Sequence, residues 1–254
     1  MVLQAVFIDA GNTLLYEKPS RFEIYTQAAR RRGLDIASED MRDLMVRAHR
    51  DLPLEIEGAY RYSESWFSSY IDWIFHGKLG LSSHDVSGVT EELFGRFSDP
   101  ATFALYPGAI ELLESLRRRH LAVGIISNWS QRLPGILKGI GVSPRVDFVL
   151  ASAIERVEKP APEIFRRACA RAGVRPSDAL HAGDHPEKDV AGAVRAGLLA
   201  VQVVHSPEAV LGRSGSEPGG PVPSDSDGFR GDPATGTLRV GSLMELAGAI
   251  ARVP

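Results

Sequence analysis

Asp9 closes the apolar run VFID and is followed by Gly11-Asn12. Ser127-Asn128 closes LAVGII, Asp184 closes ALHAG, Lys159 lies in EKPAPEIF, and Asp189 stands five residues past Asp184 in GDHPEKD. A lone carboxylate at the end of an apolar run is a candidate catalytic group, and such a group usually needs a second acid. Ligands of open parallel sheets gather in the crevice outside the carboxyl ends of the strands, and all of these residues would arrive at that edge. Each also has a plain structural reading: Asp9 and Asp184 as turn formers, Ser127 as an N-cap, Lys159 as a solvated cation, Asp189 as an acid favoured at a helix N-terminus. Composition weakens that reading for Lys159, because the chain has only five lysines against twenty-four arginines.

The elements that must carry these residues are legible as five short apolar runs, over 3–9, 121–127, 147–151, 179–184 and 199–204, bounded by turn residues. Between the second and the fifth, SQRLPGILKGIG, PAPEIFRRACARAG and HPEKDVAGAVRAG show helical spacing, and each ends at Gly, a usual helix stop. The alternation predicts an α/β fold: a Rossmann-like parallel five-stranded sheet flanked by helices. Residues 16–100 are too long for one crossover and read as wholly helical, an inserted all-helical cap domain on an α/β core of 1–15 and 101–254. Trp66, Phe67, Tyr70, Trp73 and Phe75 would pack the core of that insert. The run 212–236 is rich in Gly, Pro, Ser and Asp and reads as a flexible surface loop. After it, a short strand and a helix resume, with Ser242 and Glu245 in capping-box spacing.

Composition narrows the functional classes. With 29 basic and 32 acidic side chains the formal charge is −3, which gives no bulk attraction to nucleic acid or an anionic membrane and makes a small molecule the expected partner. Cys169 is the only cysteine, so no internal disulfide or cysteine-based metal site is expected, and it reads as a buried helix residue. No signal peptide or membrane span is visible, and the expected location is cytoplasmic. Oligomeric state is not legible.

The ordered set FIDAGNT, IISNW, EKPAPEIF and HAGDHPEKD resembles the four motifs of the haloacid dehalogenase (HAD) superfamily, and the helical insert after the first motif resembles that superfamily's cap. The resemblance covers nearly the whole chain outside 212–236. It implies hydrolysis of a small phosphorylated molecule, with Asp9 as the nucleophile that forms an aspartyl-phosphate. By the same resemblance Mg²⁺ would be held by Asp9, the Gly11 carbonyl and Asp184. Ser127 and Asn128 would bind phosphate together with Lys159, which would hold the nucleophile and phosphate charges together. Asp189 would orient Lys159 or water at the metal.

The sequence departs from the pattern at Gly11, where family phosphatases carry a second Asp as general acid and then base. Positioned acid–base catalysis contributes about 10²–10⁴-fold, so the implied activity is weak or limited to activated phosphates such as aryl or acyl phosphates. Two alternatives stand beside it: a non-catalytic module that binds a ligand or a protein, and a 2-haloacid dehalogenase, in which the carboxylate attacks carbon and no acid is needed at position 11. His185 and Glu17 are candidate replacements for the missing acid.

Overall fold

β1 (Ala5–Ile8) is buried along its whole length, as a strand covered by helices on both faces must be. In the computed structural model, which describes residues 2–205, 230–231 and 238–253, it lies parallel between β6 (Ala122–Ser127) and β8 (Ala179–Gly183), with Ile8 level with Ile125 and Ala182. Beyond β6 lies β7 (Phe148–Ala151), and beyond β8 lie β9 (Leu199–Val203) and β11 (Leu238–Val240), all parallel. The five predicted runs are five adjacent strands in the order β9-β8-β1-β6-β7, with β7 at one edge. β11 adds a sixth parallel strand, and β10 (Arg230–Gly231) pairs antiparallel with it at the edge. A three-residue strand is too short for its periodicity to place it in a sheet. Of 212–236, only Arg230–Gly231 belongs to the described residues; the expectation of a flexible loop otherwise lies outside them.

Side-chain alternation divides the core. Val6 and Ile8 face α5 (Ala109–Arg118), α6 (Leu133–Gly139) and α10 (Leu243–Ala251), whereas Ala5 and Phe7 face α8 (Pro162–Ala172), where Cys169 is buried. Helix boundaries follow local chemistry. Gly108 caps α5 at φ +83°, Pro162 opens α8 and Gly173 closes it at φ +69°. Ser242 Oγ accepts the Glu245 N–H, while Glu245 reaches back to the Gly241 N–H at 2.8 Å, one residue earlier than in a capping box.

The segment between β1 and β6 contains α1 (Arg21–Arg30), α2 (Ser38–Asp51), α3 (Glu64–Phe75) and α4 (Ser83–Ser98). They pack a core of their own around Tyr25, Met41, Trp66, Phe75 and Leu93. The segment is not wholly helical, however. β2 (Leu15–Glu17) pairs antiparallel with β5 (Phe103–Leu105), and β3 (Glu55–Ile56) forms a hairpin with β4 (Ala59–Tyr60). Its turn residues Glu57 and Gly58 both have positive φ, 50° and 79°, as a two-residue type I′ turn requires. Two-residue strands leave no periodic signal, which is why a helical reading ran through them. Among the described residues no helix is long and apolar enough to cross a membrane.

Candidate active site

The strand order reverses at β1: the chain runs outward through β6 and β7 on one side, then returns to β8 and β9 on the other. The crevice at such a reversal is the usual ligand site of an open α/β sheet, and the predicted residues meet there. The Asp9 N–H donates to the Ala182 carbonyl at 2.9 Å, which carries the ladder one residue past β1 and leaves the Asp9 side chain at the sheet edge. Ser127 Oγ donates to Asp9 Oδ1 at 2.8 Å, and Lys159 Nζ donates to the same oxygen at 2.7 Å and to Asp189 Oδ1 at 2.5 Å. Asp9 and Lys159 are only 6% and 2% exposed, so these contacts work with little solvent screening.

Lys159 is positioned by Asn128. The Asn128 amide donates to the Lys159 carbonyl at 2.9 Å and accepts from the Lys159 N–H at 2.8 Å, so this side chain fixes the lysine's backbone. Asp189 accepts three hydrogen bonds: from Lys159 Nζ, from His181 Nε2 at 2.9 Å and from the His185 N–H at 2.9 Å. That saturation suits a residue that aims Lys159. Gly183 makes room for it, because a Cβ there would overlap the Asp189 carboxyl group. Gly183→Ala is expected to displace Asp189 and to destabilise the fold by about 1–3 kcal/mol. A denaturant midpoint unchanged from the natural protein would contradict this.

The electrostatics follow from burial and crowding. Burial pushes the Asp9 carboxyl above its ordinary pKa, against the pull of Lys159. Asp184 is pushed up to about 7, first by burial and then by the negative Asp9 and Asp189. Burial also opposes the charges of Asp189 and Lys159, but their mutual attraction outweighs it, holding the Asp189 carboxyl well below the usual range and the lysine above its own. Burial keeps His181 neutral, so its Nε2 carries the proton donated to Asp189. Oxygens of Asp9, Asp184 and Asp189 lie within 4.8 Å of one another. When all three are ionised, these carboxylates against one ammonium leave two negative charges, which is the charge and donor chemistry that a small divalent cation fits. The bridge between Gly11 and Leu15 uses the Ala10 carbonyl and the Asn12 N–H, and among the described residues no backbone N–H donates to the Gly11 carbonyl.

A cavity of about 780 Å³ opens over this edge, lined by Asp9, Gly11, Lys159 and Asp184 and by residues of the helical insert such as Arg21, His49 and Phe67. Phe67 and Tyr70, expected as packing residues, both contribute to its wall. The two candidate substitutes for the missing acid are engaged. His185 Nδ1 accepts the N–H groups of Glu187 and Lys188 and caps the π-helical turn Pro186–Ala191, and Glu17 pairs with Arg21 at 2.7 Å. Sequence reasoning gave no role to His181, Trp129 or Arg21. A histidine inside an otherwise apolar strand is a signal for the first; Trp129 stands within the run IISNW, and nothing distinguishes Arg21 among so many arginines.

The model of the family described as haloacid dehalogenase-like hydrolase matches residues 3–197. The human haloacid dehalogenase-like hydrolase domain-containing protein 3 is 31% identical over 206 residues, covering 80% of this chain and 82% of that protein. A phosphoserine phosphatase of Thermus thermophilus is 27% identical over 79% of this chain and 88% of its own length. Among solved structures, a HAD phosphatase from Thermococcus onnurineus superposes with a TM-score of 0.62 at 24% identity over 98% of both chains. A 2-haloacid dehalogenase from Pseudomonas syringae gives the same TM-score at 20% identity over 99% of each, so the fold is shared by proteins named for different reactions. On the match over 195 residues (3 to 197) and on its relatives, the chain belongs to the haloacid dehalogenase-like hydrolases.

Proposed function

We propose that the protein is a Mg²⁺-dependent phosphatase that passes the phosphoryl group of a small phosphorylated molecule to Asp9 and then to water, favouring esters whose leaving group departs without a proton. The observation that carries this reading is the joint hold of Ser127 and Lys159 on one oxygen of Asp9 beside two further carboxylates. The similarity to a phosphoserine phosphatase points the same way. Residues 16–100 would serve as the cap of a core formed by 1–15 and 101–254, since α1–α4 pack their own core and supply part of the cavity wall.

Asp9, the Gly11 carbonyl and Asp184 would hold Mg²⁺, whose charge, when bound, lets an anionic carboxylate approach an anionic phosphate. In the first step an Asp9 oxygen bonds to phosphorus while the bond from phosphorus to the leaving oxygen breaks, and the electron pair departs with that oxygen. Ser127 donates a hydrogen bond to the transferring group and Lys159 neutralises its charge. In the second step water attacks phosphorus, Asp9 is released as a carboxylate, and phosphate carries away both protons of the water. A dehalogenase works without metal, and the surplus negative charge around Asp184 gives such an enzyme no advantage.

The test is an assay of the full chain against 4-nitrophenyl phosphate, acetyl phosphate, alkyl phosphates and 2-haloacids, with Mg²⁺ or with EDTA. Mg²⁺-dependent phosphate release from the first two is expected. Halide release in EDTA would replace this reading with dehalogenation, and no turnover combined with saturable Mg²⁺ binding would replace it with a binding module.

Because Asp184 is pushed up to about 7, the metal must displace its proton at neutral pH. Mg²⁺ affinity is expected to weaken by about tenfold per pH unit once the pH is well below 7, with release of a proton on binding. Calorimetric titrations in two buffers of different ionisation enthalpy measure that proton directly. A pH-independent affinity would remove Asp184 from the ligand set.

A further inference from the structure

The space beside Gly11 is not empty. A Cβ at that position would lie 3.0 Å from the Trp129 ring and 3.9 Å from Arg21 Nη2. Both residues line the cavity that holds Asp9. Trp129 follows Ser127 and Asn128 directly, its N–H is held by Ser152 Oγ at 3.1 Å, and its ring packs on Phe103 at 5.6 Å between centroids. Arg21 opens α1, one turn after its partner Glu17 in β2, and its side chain keeps 39% of its accessible surface while that of Glu17 keeps 8%. An aromatic face and a guanidinium paired with Glu17, both from residues that line the cavity, thus stand beside the residue from which a proton-donating side chain is missing.

Resting on the phosphatase reading, we propose that Arg21 and Trp129 form the leaving-group site, with Trp129 as the wall for a planar leaving group and Arg21 as the cation that meets its departing oxygen. A guanidinium is never deprotonated in proteins, so Arg21 cannot act as the missing acid. It can stabilise an anion that leaves unprotonated, with the electron pair of the broken bond resting on that oxygen. The pair selects phosphate monoesters of acidic, flat leaving groups, namely aryl, enol and acyl phosphates, over those of simple alcohols. Aromatic faces and Arg also suit such groups by stacking.

Rates for a series of substituted phenyl phosphates, from 4-nitrophenyl to phenyl and on to ethyl phosphate, test this in the full chain with saturating Mg²⁺. The charge on the leaving oxygen in the transition state grows in importance as the leaving group becomes less acidic. Arg21→Met is therefore expected to reduce kcat/KM less than tenfold for 4-nitrophenyl phosphate and by about 10²-fold for phenyl phosphate, steepening the dependence on leaving-group pKa. Arg21→Gln, which retains a hydrogen-bond donor for Glu17 and guards against a folding defect, is expected to steepen it likewise, and Arg21→Lys to restore part of the loss. An equal loss on every substrate would mark Arg21 as merely structural, and an unchanged slope in a folded variant would also overturn the proposal. Failure of the natural protein to hydrolyse any phosphate would instead overturn the phosphatase reading beneath it.

Discussion

Asp9→Asn is expected to abolish phosphate release, by on the order of 10³-fold or more, while making the protein more stable. The amide is nearly isosteric and its oxygen can still accept from Ser127, but it cannot take up a phosphoryl group and return it. The stability gain follows from the sign of the carboxyl shift. Burial raises the Asp9 pKa in the folded state, so between the unfolded and folded values the native state binds more protons than the unfolded chain. Stability therefore falls as the pH rises through that window, and the deficit is complete above the folded value. Asn carries no such charge, and Lys159 keeps Asp189 as a partner. A gain of about 1 kcal/mol is expected at neutral pH, corresponding to about 2–4 °C in Tm for a domain of this size, and it should shrink on acidification. Thermal melts in EDTA measure it. Added Mg²⁺ should then raise the Tm of the natural protein by more than that of the variant, because the variant has lost a charged ligand. A variant that is inactive and also less stable at neutral pH in EDTA would mean that the ionised Asp9 is a net favourable partner of Lys159.

Much of this site could be read before the structure because it is written in local runs. Asp9, Ser127 and Asp184 stand at or just past the ends of parallel strands, and parallel strands deliver their carboxyl ends to one edge whatever the connections between them. Lys159 was legible from its rarity and from the Pro-started helix after it. Residues whose roles depend on a long-range meeting were not. The Asn128 amide closes on the backbone of Lys159, thirty-one positions away, and no local run announces that pairing. Arg21 reaches the space beside Gly11 only because β2 pairs with β5 and starts α1 at the site, and a three-residue strand carries no periodic signal. The turn at Glu57-Gly58 escaped for a similar reason: its chemistry is in two φ angles rather than in a hydrophobic pattern.

Lys159→Met is expected to be the most damaging single change to the fold. Its ammonium is the shared partner of Asp9 and Asp189 at 2.7 and 2.5 Å, and it is almost wholly buried. Removing one member of a buried ionic cluster leaves uncompensated charge, at a typical cost of about 3–5 kcal/mol. Methionine fills most of the vacated volume, and the bonds to Asn128 involve only the backbone of residue 159, so the loop should hold its course and the loss should be electrostatic. Two signatures distinguish that from a packing defect. Without the ammonium, the carboxyl groups of Asp9 and Asp184 lose the neighbour that lowers their pKa values, so the folded state takes up protons more readily and the variant's Tm should rise as the pH is lowered from about 8 to about 6. Mg²⁺ should also recover more stability in the variant than in the natural protein, because a dication then faces three carboxylates with no competing cation. Activity should fall by about 10²–10³-fold even when Mg²⁺ restores the fold, since the ion cannot also stand where the lysine meets the phosphoryl group. A variant whose Tm responds to neither pH nor Mg²⁺ would mean that Lys159 is not what balances the charge of this edge.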